Sequence, residues 1–278
     1  MSLRNCRFLL GMAGQILKYR LHHLLPLEHF TSRRLIWTVK LLQRLLPTRD
    51  NVPEQLTDAL ISRGPVYIKL GQLLSTRPDV LGEVICQSLA KLQDQVDPLP
   101  GEQAIAIIER ALGQSSLDAF QSIDQEPIAS ASIAQVHGAC LTTGESVVIK
   151  IVRPGIEQRI RSEMQALIEV SLWLESRLPL IRQIHLTQIL DDQLTVLLAE
   201  LSMFREARNQ IQLRRNFADS SLLYVPRLHD RFTRQNLLVM ERIDAPSIGE
   251  LERIRHAGVD FKVLAHKGVE TFFTQVFE

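Results

Sequence analysis

A short strand that carries a lysine constrains the fold of this chain more than any other feature. Ser146–Val152 reads as an apolar strand in which Lys150 follows three β-branched residues. Val136–Leu141 reads as a second strand, and Thr142–Glu145 reads as the turn between the two. Burying an ammonium group is costly unless an anion pairs with it. The hairpin therefore predicts an antiparallel sheet in which Lys150 has an anionic partner, or alternatively an edge lysine that reaches solvent.

Helical patterns surround this hairpin on both sides. Apolar residues, mostly leucines, recur at helical spacing before the hairpin, and the same pattern returns after it. The sequence predicts helices over residues 7–46 with a break near Pro26, 54–74, 79–93, 101–112, 155–178, 187–217 and 261–277, with a second strand pair over 225–228 and 237–243. The expected fold class is therefore α+β, with a small antiparallel sheet and many helices.

The charge is balanced over the whole chain but is basic at its start. The net charge of +1 gives no electrostatic case for nucleic acid, and no reader motif is present. The first fifty residues contain only Glu28 and Asp50 as acids, against the basic residues Arg4, Arg7, Lys18, Arg20, Arg33, Arg34, Lys40, Arg44 and Arg49. This asymmetry predicts contact with an anionic membrane surface.

Three further segments each give only weak evidence of a function when taken alone. Ala129–Gln135 is a loop of small residues where a kinase would have glycines, although an ordinary serine-rich and alanine-rich turn explains it equally well. Lys69 and Gln72 lie three residues apart, hence on one face of a helix, which a solvated helix also explains. Glu200 and Glu206 are expected on a single helix with about 120° between them, so they need separate partners, for which Lys69 and Lys150 are the candidates.

The order of these segments is more specific than any one of them. The sequence contains, in this order, KLGQLLSTRPDVL, PIASASIAQVH, VVIKIVRPGI, REARNQIQLRRNF and LLVMERI. This series resembles the UbiB family of atypical kinase-like proteins over nearly the whole chain. The resemblance implies a protein-kinase-like small lobe, an antiparallel sheet plus helices, preceded by a helical extension with the KxGQ motif. In the family this extension folds over the nucleotide site and blocks protein substrates, and the large lobe is expected to be mostly absent from this chain.

The resemblance also implies roles for individual residues. The alanine-rich loop replaces the glycine-rich loop, Lys150 is the strand lysine, Glu206 is its helix partner and Met240 is the gatekeeper, while the Glu241 carbonyl and the Ile243 N–H meet the adenine edge. The expected nucleotide-binding residues are Ala129, Ser130, Ala131, Ser132, Ile133, Ala134, Gln135, Lys150, Glu206, Met240, Glu241 and Ile243, and the expected regulatory residues are Lys69, Gln72 and Glu200. Many members have Glu-x-Asp where this chain has Glu200-Leu201-Ser202, which puts the role of the second acid in doubt.

Members of the family are implied to bind ATP with Mg2+ and to support ubiquinone biosynthesis at the cytoplasmic face of the bacterial inner membrane, with biosynthesis proteins or lipid intermediates as partners. The catalytic loop and metal ligands are expected beyond Glu278, so this chain alone is expected to be inactive. A non-catalytic membrane-associated scaffold is the alternative. The expected division is a basic amphipathic terminus over 1–52, a KxGQ extension over 53–121, a kinase-like lobe over 122–243 and the start of a large lobe over 244–278.

Overall fold

The computed structural model describes residue 11 and residues 13–24, 33–47, 51–92, 97–177 and 182–277. The chain forms two compact units, each assembled from separate stretches. The helical unit contains Met1–Pro98, Ser130–Ala134 and Arg153–Leu201, and the sheet unit contains Leu99–Ala129, Gln135–Val152 and Ser202–Glu278. The four-part division made from the sequence stays a prediction.

The described residues contain helices and a four-stranded sheet, which makes the fold α+β as predicted. In chain order the helices are α1 Arg33–Leu45, α2 Val52–Arg63, α3 Pro65–Ser75, α4 Pro78–Leu81, α5 Glu83–Leu89, α6 Gly101–Leu112, α7 Gln114–Leu117, α8 Ile156–Arg177, α9 Leu186–Glu200, α10 Met203–Asn216, α11 Leu251–His256 and α12 Phe261–Phe277. The strands are β1 Phe120–Ser130, β2 Ala134–Leu141, β3 Ser146–Val152 and β4 Leu237–Glu241.

The sheet unit is built on the predicted hairpin. The strand order is β1-β2-β3-β4, and β3 pairs antiparallel with β4 in a register that places Lys150 opposite Leu238. Alternate residues of β3 (Val147, Ile149 and Ile151) are fully buried in a core that also contains residues of α6. Because side chains alternate between the two faces of a strand, Lys150 projects from the face opposite this core.

Several boundaries predicted from the sequence are confirmed and others are wrong. The spans of β3, α6 and α12 are confirmed. The strand β1 was not predicted, because most of its residues are polar and exposed and its pattern gives little hydrophobic period. Of the second predicted strand pair only β4 forms a strand, while Leu228 makes a single bridge to Met240. The predicted break near Pro26 lies outside the described residues.

Two predicted long helices are each interrupted. The one expected over 54–74 ends at Arg63, and α3 begins at Pro65, because Gly64 adopts φ +96°, a backbone conformation that suits glycine. The one expected over 187–217 stops at Glu200, and α10 begins at Met203. Ser202 has extended backbone and its hydroxyl accepts a hydrogen bond from the Arg205 N–H, as an N-cap residue does. The assignment of Glu200 and Glu206 to one helix was therefore wrong.

Within the helical unit, α3 packs closely against its neighbours at Gly71. A Cβ atom at this position would lie 2.4 Å from Leu92 Cδ1 and 2.8 Å from Leu60 Cδ1. The surface that approaches this glycine is formed by leucine side chains of the same unit.

Replacing Gly71 by alanine is expected to lower the free energy of unfolding by about 1–3 kcal/mol, because the leucine side chains must shift to admit the methyl group. Gly268→Ala is the matched control: Gly268 is also within a helix, but nothing lies within 4 Å of its Cβ position. The control should gain up to about 1 kcal/mol from helix propensity. Urea unfolding followed by circular dichroism measures both changes. Equal effects at the two positions would contradict the close approach.

Tyr67 places an unpaired hydroxyl inside the helical unit. Its side chain is buried, and its oxygen has no hydrogen-bond partner among the described residues. Burial raises the pKa of Tyr67 to about 12, while the positive charge of Arg63 opposes the increase. The folded protein therefore favours the protonated phenol, and this contribution to stability is lost as the pH rises from 10 to about 12.

Tyr67→Phe is expected to leave stability at neutral pH unchanged or to increase it by up to about 1 kcal/mol, because no hydrogen bond is lost. Above pH 10 the variant should lose less stability than the native chain. Urea unfolding at neutral and alkaline pH measures both effects. A neutral-pH loss larger than about 1 kcal/mol would indicate that the hydroxyl has a partner.

Candidate functional site

The centre of the candidate site is an ion pair in the sheet unit. Lys150 Nζ of β3 lies 2.7 Å from Glu206 Oε1 and 2.8 Å from Glu206 Oε2, so that both carboxylate oxygens accept hydrogen bonds. The two side chains are 26% and 33% exposed. The pair is thus well formed but open enough for the ammonium group to meet a small ligand.

The position of Glu206 follows from how α10 begins. Ser202 caps the helix, and the Met203 N–H donates to the Gln235 carbonyl just before β4. Met203 itself is fully buried. These contacts fix the first turn of α10 beside the sheet and place Glu206, in that first turn, where it reaches the Lys150 side chain.

The end of β4 contains the residues predicted to meet the adenine. Gln210 Nε2 lies 3.9 Å from Met240 Sδ. The carboxylate of Glu241 accepts hydrogen bonds from the Tyr224 hydroxyl at 2.7 Å and from the Arg227 N–H at 3.0 Å, and these bonds lower its pKa. Ile243 is exposed, and its N–H donates to no acceptor among the residues that the structure describes. The Glu241 side chain thus fixes this segment to the segment before it.

The alanine-rich loop, residues 129–135, connects β1 to β2. The Ala131 N–H donates to the Ala134 carbonyl at 2.9 Å, which closes the turn. None of these seven residues, all of them described, has a positive φ, so the turn does not require glycine. Ala129 is exposed, Ser130, Ala131 and Ile133 are half-buried, and Ser132, Ala134 and Gln135 are buried.

The side chain of Gln135 is hydrogen-bonded on both sides within the sheet unit. Its Oε1 accepts from the Leu99 N–H at 2.8 Å, and its Nε2 lies 2.8 Å from His137 Nε2. His137 Nδ1 in turn lies 2.8 Å from the Asp124 carbonyl, so this nitrogen is the donor and the ring is neutral. Both side chains are fully buried. The nucleotide-binding role of Gln135 stays a prediction, and in this arrangement the partners of its amide are the Leu99 N–H and the His137 ring.

The predicted regulatory residues are all in the helical unit. Lys69 Nζ of α3 lies 3.5 Å from Glu200 Oε2 at the end of α9. Gln72 Nε2 donates to the Leu92 carbonyl at 3.2 Å. The two acids therefore have the two separate lysine partners that their spacing suggested, although they lie on different helices.

Sequence reasoning assigned no role to Arg153, which the structure places against the alanine-rich loop. Its guanidinium group donates to the Ala131 carbonyl at 3.0 Å and to the Ser130 hydroxyl at 2.7 Å. The only signal in the sequence is an arginine directly after β3, which does not identify a partner more than twenty positions away.

The described residues contain no group of three or more His, Cys, Asp or Glu side chains that could hold a metal ion. Mg2+ prefers several oxygen ligands, and both oxygens of Glu206 are already bonded to Lys150. The residues present therefore do not fit a Mg2+ site. Within the same residues, no helix is long and apolar enough to cross a membrane.

A small antiparallel sheet whose lysine is bonded to a glutamate of a following helix defines a protein-kinase-like small lobe. Comparison with known proteins agrees with this class. Residues 91–278 match the ABC1 atypical kinase-like domain, so the chain belongs to the ABC1 atypical kinase-like family.

Its relatives carry the name Probable protein kinase UbiB, so the resemblance inferred from the sequence is confirmed. The relative from Azotobacter vinelandii is 42% identical, and the match covers 100% of this chain and 52% of that protein. The relative from Marinobacter nauticus is 41% identical, and the match covers 97% of this chain and 49% of that protein. The chain spans about half the length of the curated relatives it matches. Among solved structures, the chain is similar to Rv3197 from Mycobacterium tuberculosis in its complex with erythromycin, with 25% sequence identity and a TM-score of 0.45. The match covers 79% of this chain and 53% of that chain.

Proposed function

We propose that this chain binds ATP and that Lys150 holds the α- and β-phosphates while Glu206 positions its ammonium group. The observation that carries the proposal is the Lys150–Glu206 pair, in which two charge-assisted hydrogen bonds orient an ammonium group that stays partly exposed. A lysine placed this way is preorganised for an anion, because the strand and the helix fix its position before the ligand arrives.

The remaining site residues have supporting roles in the same proposal. The alanine-rich loop takes the place of a glycine-rich loop, Met240 acts as gatekeeper, and the Glu241 carbonyl and the Ile243 N–H meet the adenine edge. Lys69, Gln72 and Glu200, which hold α3 in place within the helical unit, are the proposed regulatory residues. Any Mg2+ would arrive on the phosphates, since the described residues do not supply a set of ligands for it.

Biologically, we propose that the protein supports ubiquinone biosynthesis at the cytoplasmic face of the bacterial inner membrane. Membership in a family whose relatives are named UbiB supports this role. Biosynthesis proteins or lipid intermediates are the partners that such a role implies. A non-catalytic scaffold is the alternative, and nucleotide binding distinguishes the two.

A membrane contact is favoured by one further observation on α1. Trp37, Leu41 and Leu45 are 66%, 40% and 65% exposed, and Lys40 and Arg44 are exposed beside them. At helical spacing these five side chains occupy about 140° of arc. An apolar stripe with flanking cations is typical of a helix that lies in a lipid interface.

The proposal predicts saturable binding of ATP by the 278-residue chain, because Glu206 orients a Lys150 ammonium group that stays partly exposed. Isothermal titration calorimetry with ATP, ADP and adenosine measures it. Affinity should be higher for ATP and ADP than for adenosine, since both nucleotides carry the α- and β-phosphates whose charge the ammonium group neutralises. Absence of saturable binding, or equal affinity for adenosine and ATP, would contradict the proposal and leave the scaffold alternative.

A further inference from the structure

Arg153 is bonded almost entirely to one short segment of chain. Its Nε donates to the Ala131 carbonyl at 3.0 Å, its Nη2 donates to the Ser130 hydroxyl at 2.7 Å, and the same Nη2 donates to the Asp97 carbonyl at 2.9 Å. The Arg153 backbone N–H donates to the Ile133 carbonyl at 3.0 Å. One residue directly after β3 thus makes three of its four bonds to the alanine-rich loop, and all of these partners are within the helical unit.

In the alanine-rich loop, three backbone carbonyl groups accept hydrogen bonds, whereas two backbone N–H groups have no acceptor among the described residues. The carbonyls of Ala131 and Ile133 accept from Arg153, and the Ala134 carbonyl accepts from the Ala131 N–H. Among the described residues, the N–H groups of Ser132 and Ile133 donate to no protein acceptor. Backbone N–H groups without a protein partner are the donors that phosphate groups use in kinase loops. Arg153 therefore occupies the carbonyls, which would repel a phosphate.

The guanidinium group is suited to this task in a way that an ammonium group is not. Arginine presents donors in a fixed planar fork, so that Nε and Nη2 can reach two different oxygens at once, whereas lysine is a single point charge on a flexible stem. Burial lowers the pKa of Arg153, and the negative charge of Asp97 opposes this. Arginine keeps its charge in proteins, so the fork stays intact.

We propose that Arg153 is a positioning residue that fixes the alanine-rich loop in its ligand-binding conformation, and so supplies the order that a loop without glycine needs for phosphate recognition. The claim that the ordered loop binds phosphate rests on the proposed function, whereas the claim that Arg153 orders the loop does not. A glycine-rich loop approaches phosphate by adapting its backbone, whereas here alanine restricts the backbone and the Arg153 fork selects one conformation.

Hydrogen exchange of the ligand-free chain tests the structural part. In Arg153→Gln the hydrogen-bonded amides within residues 130–135, such as that of Ala131, are expected to exchange on the order of tenfold faster, because the loop loses the side-chain bonds that hold it in one conformation and opens more often. Arg153→Lys should give an intermediate rate, since it retains the charge but not the fork. Arg161→Gln is the matched control, because Arg161 is exposed on α8 and its only partner among the described residues is Glu157 in the same helix. Unchanged exchange over 130–135 in Arg153→Gln would overturn the inference.

Calorimetry on the same variants tests the functional part. Arg153→Gln is expected to bind ATP about tenfold more weakly and adenosine with unchanged affinity, because only the phosphates use the loop. Faster exchange with unchanged ATP affinity would overturn the positioning role and leave a purely structural one, as would an equal loss for ATP and adenosine. If the native chain binds no nucleotide, the proposed function fails, and the exchange result alone then decides whether Arg153 orders the loop.

Discussion

Lys150→Met is expected to weaken ATP binding by about tenfold or more, because methionine retains the length of the side chain but removes the only charge that β3 offers to the phosphates. The two hydrogen bonds to Glu206 orient the ammonium group. Affinity for adenosine should change little, so the expected loss is confined to nucleotides that carry the α- and β-phosphates. Calorimetry with ATP, ADP and adenosine measures this difference directly.

Lys267→Met is a suitable control, because Lys267 is an exposed lysine of α12 and the same atoms are replaced. Folding is checked by urea unfolding, where the loss in Lys150→Met should stay within about 1 kcal/mol, since a partly exposed ion pair contributes little. Glu206→Gln gives a second check: it leaves the ammonium group in place but less well oriented, so a smaller loss of ATP affinity is expected. Native ATP affinity in Lys150→Met would refute the role of this lysine.

A helix or strand could be predicted from the sequence where its pattern of apolar residues lies within one continuous segment. The strand β3 and the helix α6 were predicted with correct bounds because each has a strong apolar pattern within one segment. The strand β1 was missed because it is mostly exposed, and its pairing with β2 rather than its own pattern makes it a strand. The break at Ser202 depends on one cap in an otherwise helical pattern, so the pattern suggested a continuous helix.

In the candidate site, contacts between residues far apart in the sequence were the hardest to predict. The two lysine–glutamate pairs could be suggested, because charged residues that would be partly buried need partners, but the sequence separation of 56 between Lys150 and Glu206 is bridged only by the fold. The contacts of Arg153 and Gln135 with backbone atoms have no signal in the sequence. Any residue has a carbonyl, so side-chain identity at the acceptor position gives no information.

The second large effect is expected at α1, where a single substitution should strongly weaken membrane binding if the exposed stripe enters the lipid interface. One face of α1 is already used by the protein: Val39 is buried, Gln43 donates to the His22 carbonyl at 3.1 Å, and His23 Nε2 lies 2.9 Å from the Leu46 carbonyl. The opposite face presents Trp37. Trp37→Glu can therefore remove an anchor without disturbing the packed face.

Flotation of the 278-residue chain with phosphatidylglycerol vesicles should show binding that weakens in high salt and is absent with phosphatidylcholine, because the cations beside the stripe act over about a Debye length. Trp37→Glu should reduce this binding by about tenfold or more, since it replaces a large exposed apolar ring by a charge that anionic lipid repels. Val196→Glu is the matched control: Val196 on α9 is 50% exposed, so the charge change is the same on an apolar residue outside α1. If both variants bind alike, α1 is not the lipid contact, and its apolar stripe must be covered by protein.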